Sequence, residues 1–176
     1  MTRLAVLGAA VFGFMVVEAV RAAANERAQR AAGGVEPRHD VYPFMQVAYP
    51  GIFAIILGEG LFQAAPAAAV LAIGTMTFAA AKLLKWWAIV SLGRFWTFRV
   101  IVVPGTRLVA SGPYRYLRHP NYVGVAGEFI GSALIANAPV SGTLGTLLFI
   151  GLMTVRVRIE NRALNAILRR RQVPPS

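Results

Sequence analysis

Long apolar runs separated by short charged stretches dominate the chain. Residues 4–20 carry a single charge, Glu18, and residues 41–65 carry only Glu59. Residues 66–81 have none, and apolar character continues past Lys82 and Lys85 through Trp86, Trp87 and Val90. A bilayer-spanning helix needs roughly 20 mostly apolar residues, with about 17 tolerated, so the pattern predicts spans at 4–20, 41–65 and 66–90. Residues 120–155 form a longer run whose only charge is Glu128. As one helix it would be about 54 Å long against a hydrocarbon core of about 30 Å, so it must fold back. The stretch Asn137-Ala-Pro139-Val-Ser-Gly142 supplies the turn residues, giving further spans at 120–136 and 141–157. The expected architecture is all-α: an integral membrane bundle of about five transmembrane helices in a single domain, 1–176.

Composition supports this solvent assignment. Of 176 residues, 57% are hydrophobic and 14% charged, an unusual balance for a soluble fold. The net charge of +11 does not point to nucleic acid, because the basic residues lie between apolar runs and form no aromatic-interleaved patch. With no cysteine, disulfides, thiolate metal sites and a cysteine nucleophile are excluded, and two histidines make a zinc centre a poor expectation. The first apolar run is followed by Arg21, Asn25, Glu26 and Arg27 without a persuasive small-residue cleavage site, so it reads as a retained helix and not a signal peptide.

Charge placement also predicts orientation. Of the 18 Lys and Arg residues, all but Arg3 fall in the segments 21–40, 82–118 and 156–176. Cytoplasmic loops carry the excess of Lys and Arg. The expected placement is therefore a bacterial cytoplasmic membrane, N-terminus outside and C-terminus in the cytoplasm, with Lys82 and Lys85 counted in the second cytoplasmic segment.

Residues 91–119 form a long connection on that side, punctuated by Gly93, Pro104-Gly105 and Ser111-Gly112-Pro113. So long a loop in so small a protein is more often functional than idle. It ends in the densest polar constellation, Gly112-Pro-Tyr-Arg-Tyr-Leu-Arg-His-Pro-Asn-Tyr-Val-Gly124. Pro120 suits a first helical turn, and Arg118-His119 would stand at a helix N-terminus that favours anions. Plain interfacial anchoring by Arg and Tyr is the competing reading. Arg156 and Glu160, four apart, share one helix face as a salt bridge or as two converging ligands. Glu128, an intramembrane carboxylate, is either functional or a hydrogen-bonded packing residue.

Residues 112–124 followed by the helix end 156–164 resemble the isoprenylcysteine carboxyl methyltransferase family of membrane methyltransferases. The likeness is greatest to a bacterial branch that includes O-methyltransferases of alkylpyrone or alkylresorcinol lipids. The segments 92–99 and 25–27, Gly33-Gly-Val-Glu36 and Tyr42-Pro43 resemble that branch too. The resemblance implies an S-adenosylmethionine-dependent O-methyltransferase acting on a lipophilic acceptor in the bilayer, with a cytoplasmic cofactor region at about 91–122 and 156–164. It implies that S-adenosylmethionine is held by Arg99, by Thr106, Arg107, Leu108 and Val109, by Tyr114 and Arg118, by His119, Pro120, Asn121 and Tyr122, and by Glu160. Arg156 would contact the acceptor, which makes Arg156, Glu160 and His119 the expected catalytic set; no metal is implied. Where the family has a paired Glu-Glu, this chain has Glu160-Asn161, so Glu160 alone would serve.

Methyl transfer is an in-line displacement for which alignment supplies much of the catalysis, so no Ser-His-Asp arrangement is required. Glu128 and His119 are the available residues should the acceptor need a base. Two alternatives remain: an NADPH-dependent membrane sterol reductase-like enzyme, which shares an Arg-His-Pro-Asn-Tyr-like motif, and a non-catalytic lipid-binding membrane protein.

Overall fold

The computed structural model describes residues 1–36, 41–106 and 109–172, with side chains as far as residue 159. Five α-helices account for most of it: α1 Thr2–Ala31, α2 Tyr42–Leu61, α3 Ala68–Leu92, α4 Pro120–Ala136 and α5 Pro139–Gln172. Short 3-10 turns lie at Gly93–Phe95 and Gly112–Arg115, and the only pairing of extended backbone among the described residues is one antiparallel bridge, Val35 to Val102. The all-α membrane bundle is thus observed. Helices α1, α2, α3 (extended to Phe95) and α5 (as far as Ile159) are long and apolar enough to cross a bilayer. At 17 residues α4 is shorter, and among the described residues it is the most enclosed helix: Val125, Glu128, Phe129, Ser132, Ile135 and Ala136 are all buried.

Small residues let α4 take that position. A Cβ added at Gly131 would lie 2.6 Å from the Phe78 amide nitrogen of α3, and one at Gly127 would lie 2.8 Å from the Ala81 Cβ. Gly124, Gly127 and Gly131 are therefore a flat face on which the α3 backbone rests. In lipid, where apolar burial gives helices little reason to associate, such close packing is a main source of cohesion. Around Phe129 the aromatic rings of Tyr49, Phe53 and Phe149 interlock, with centroids 4.6 to 5.8 Å apart.

The turn expected at 137–142 is tight. Asn137 adopts a left-handed conformation, φ 59°, and ends α4, while Pro139 opens α5 at once. Glu59 of α2 accepts hydrogen bonds from the amides of Val140 and Ser141 at 3.2 and 2.7 Å, capping the N-terminus of α5 from a neighbouring helix. Arg3 donates to the carbonyls of Gln63 and Ala64 at this same end.

At the opposite end, α1 continues past residue 20 as far as Ala31, so Arg21, Arg27 and Arg30 lie on a helix and not in a loop. That extension pins the long connection: Asn25 donates to the carbonyls of Gly93 (3.0 Å) and Trp96 (2.7 Å), and Gln29 to that of Arg94 (3.0 Å). One expectation is corrected. Lys82 and Lys85 are not loop charges; they lie within α3, 7% and 2% exposed, and neutralise buried carboxylates. They drop out of the orientation count.

Candidate functional site

A cavity of about 800 Å³ opens beneath the 93–119 connection and continues inward between α1, α2 and α4. Its size falls in the range of roughly 300–1,000 Å³ usual for small-molecule sites.

Local sequence shapes its rim. Gly112 takes φ +60°, and a Cβ there would collide with the Ser91 hydroxyl; only glycine lets the 3-10 turn that carries Tyr114 lie this close to α3. Pro120 forces the residue before it out of helical conformation, and His119 accordingly has φ −134° and ψ 63°. The His119 ring then stacks on that of Tyr122, centroids 5.4 Å apart and planes 13° from parallel. In α2, Pro50 cannot donate to the Gln46 carbonyl one turn back, and both residues border the cavity.

Of the residues singled out from the sequence, Arg99, Thr106, Val109, Tyr114, Arg118, His119, Asn121, Tyr122 and Arg156 all border this one cavity. Pro120 is buried behind the rim and does not reach it. Arg107 and Leu108 lie outside the described residues. Glu160 falls on α5 one turn beyond Arg156, its side chain outside the described residues.

The two central arginines differ in their surroundings. Arg99 is paired: its Nη1 lies 2.8 Å from Glu36 Oε1, its Nε 3.7 Å from Glu26, and its guanidinium 4.7 Å above the Tyr42 ring. Burial by itself would raise the Glu36 carboxyl, but hydrogen bonds from Arg99 and Arg30 outweigh it and hold Glu36 below the usual carboxylate range. Arg156 is 6% exposed and donates to the Phe98 carbonyl and to the Met45 sulfur (3.7 Å). No carboxylate among the described residues pairs with it, and its Nε has no partner there. The Asn121 Oδ1, buried at the α4 N-terminus, also lacks a partner among the described residues.

Sequence reasoning singled out Glu128 but missed the partners that surround it at the innermost wall. Lys85 Nζ donates to Glu18 Oε2 (2.7 Å) and to the Tyr49 hydroxyl (2.8 Å), while Tyr49 donates to Glu128 Oε2 (2.6 Å). Lys82 Nζ lies 2.8 Å from Glu128 Oε1 and 3.5 Å from Glu18 Oε1. Helices α1 to α4 each contribute to this network, and Tyr49 and Lys85 border the cavity. The available signal was charge balance: two carboxylates and two lysines interrupt otherwise apolar helices, and Lys82 and Lys85, three apart, share a face.

The fold defines a membrane-embedded helical protein with a cavity at one end of its bundle. The chain belongs to the isoprenylcysteine carboxyl methyltransferase family, a family of membrane methyltransferases, with a match that spans residues 70–166. It is 31% identical over 141 residues to the uncharacterized protein YpbQ of Bacillus subtilis (strain 168), covering 80% of this chain and 83% of that one. It is also 28% identical over 94 residues to an uncharacterized protein of Haemophilus influenzae (strain ATCC 51907 / DSM 11121 / KW20 / Rd), covering 53% of this chain and 54% of the other. No solved structure shows a significant match.

Proposed function

We propose that the chain is an S-adenosylmethionine-dependent O-methyltransferase whose acceptor is lipophilic, with either a prenylcysteine-type carboxylate or an alkylpyrone- or alkylresorcinol-type hydroxyl as the methylated group. The observation that carries this reading is that nine of the residues implied by the family resemblance border one cavity, whose walls also include apolar stretches formed by Met15, Met45, Val125 and Phe149 among others. The cofactor's carboxylate, ammonium and ribose hydroxyls suit a rim of Arg99, Arg118, Asn121 and the loop backbone; its sulfonium supplies the methyl group. The unpartnered Asn121 Oδ1 fits a hydroxyl or ammonium donor. Thr106 to Val109, Tyr114, His119 to Tyr122 and Glu160 complete the proposed cofactor set.

Arg156 would hold the acceptor's oxyanion, where alignment with the bound methyl donor and electrostatic stabilisation would lower the barrier. The bundle lies with its N-terminus outside and the cofactor rim in the cytoplasm, where the donor is found. All five helices cross, α4 sheltered by its neighbours.

Binding of radiolabelled S-adenosylmethionine to the purified protein in detergent, and methyl transfer by wild type and Arg156→Met, test the reading. Saturable binding is expected for both proteins, with the variant's KM for an anionic acceptor raised tenfold or more. Binding of NADPH but not of S-adenosylmethionine by the wild type would overturn it.

A further inference from the structure

We infer that Tyr49, backed by Glu128 and Lys85, is the proton acceptor for a hydroxyl-bearing acceptor lipid. This deepens the function proposed above and rests on it.

A carboxylate is already ionised at neutral pH and needs no base, whereas a phenol- or enol-type hydroxyl must lose a proton as its oxygen is methylated. The innermost cavity wall contains a group suited to take it. The Tyr49 hydroxyl donates to Glu128 Oε2 at 2.6 Å and accepts from Lys85 Nζ at 2.8 Å. That arrangement leaves the phenolic oxygen with a second lone pair, and Tyr49 borders the cavity while Glu128 is wholly buried behind it. In the transfer, the acceptor oxygen forms a bond to the methyl carbon as the carbon–sulfur bond breaks and its electron pair stays on sulfur. The acceptor's proton passes to the Tyr49 oxygen while the Tyr49 proton passes to Glu128. After product leaves, the proton returns through Tyr49 to water in the cavity.

The route conserves charge. The groups facing Tyr49 are Glu18 on α1, Lys82 and Lys85 on α3 and Glu128 on α4; α5 presents the Phe149 ring. His119, Arg99, Arg118 and Arg156 line the same cavity toward its mouth. Two lysines and two carboxylates sum to zero. Protonation of Glu128 gives the network one positive charge at the moment the sulfonium loses its own, so the buried site keeps its total charge.

The test compares wild type and Tyr49→Phe, which keeps the ring packed among Phe53, Phe129 and Phe149, on two acceptors: a 5-alkylresorcinol and a farnesylated cysteine. A phenol ionises near pH 10, so between pH 7 and 9 the wild-type kcat on the resorcinol should be nearly flat. The variant's should fall about 10²- to 10⁴-fold at pH 7 and recover about tenfold per pH unit as the acceptor ionises unaided. S-adenosylmethionine binding should be retained, and any transfer to the farnesylated cysteine should show no such pH-dependent loss. Equal pH profiles for the two proteins, or a loss of the same size at every pH, would overturn the assignment, as would transfer to the carboxylate acceptor alone. Should the variant fail to fold, the wild-type profile decides: a kcat that climbs tenfold per unit from pH 7 would leave no place for an internal acceptor. A wild type that binds no S-adenosylmethionine would instead sink the underlying function.

Discussion

Removing the Glu128 carboxylate should destabilise the bundle strongly. Glu128 is fully buried and meets three groups: Lys82 at 2.8 Å, the Tyr49 hydroxyl at 2.6 Å and Lys85 at 3.5 Å. In Glu128→Gln the network passes from balanced to one excess positive charge, and Lys82, 9% exposed at its side chain, keeps as its nearest carboxylate only the Glu18 oxygen at 3.5 Å. Breaking a buried pair by deleting one partner costs about 3–5 kcal/mol, because the remaining charge is uncompensated. A lone charge in the middle of a transmembrane helix is assigned about 2.5–3.5 kcal/mol on insertion scales. A loss of about 3 kcal/mol is therefore expected. Lys82→Met should be similarly costly, yet Lys82→Met/Glu128→Gln restores neutrality and should lose less than the sum of the singles. Unfolding free energies of the four proteins, measured in mixed micelles by circular dichroism against increasing dodecyl sulfate, close the cycle. Additivity within about 0.5 kcal/mol, the scatter expected of independent sites, would refute the claim that these groups form one electrostatic unit.

Packing and pH give two further tests. Gly131→Ala places a methyl 2.6 Å from the Phe78 amide nitrogen, backbone that cannot step aside, and should cost about 1–3 kcal/mol in the same assay; Gly51→Ala, with nothing within 4 Å, should be neutral or mildly stabilising. Equal effects at the two positions would rule out the close α3–α4 contact. Glu36 has its folded-state carboxyl held below the unfolded value, since the Arg99 and Arg30 hydrogen bonds prevail over burial. Its contribution to stability is present above the unfolded value, near 4.5, and is lost as pH falls through the lower folded value. A wild-type melting temperature that declines across that acid range, with a smaller decline in Glu36→Gln, is the expected result; parallel curves would exclude the pairing as a source of acid sensitivity.

The five helices, the turn at Asn137 to Pro139 and the rim motif were legible in the chain itself. Each is a local matter: uninterrupted apolar length excludes water, a proline or an asparagine ends a helix by its own backbone preference, and Pro120 displaces His119 whatever surrounds it. The helix ends were less so. Whether α1 stops at residue 20 or continues to Ala31 depends on Asn25 and Gln29 finding the carbonyls of Gly93, Trp96 and Arg94, partners more than sixty residues away. Lys82 and Lys85 mark the clearest division. By sequence they adjoin a basic loop and read as charges that set orientation; they are buried because Glu18 and Glu128 arrive from two other helices to neutralise them. An intramembrane charge announces its cost in the sequence, but only the tertiary structure determines which opposite charge offsets it, since that depends on the distance and facing of helices the local pattern does not relate.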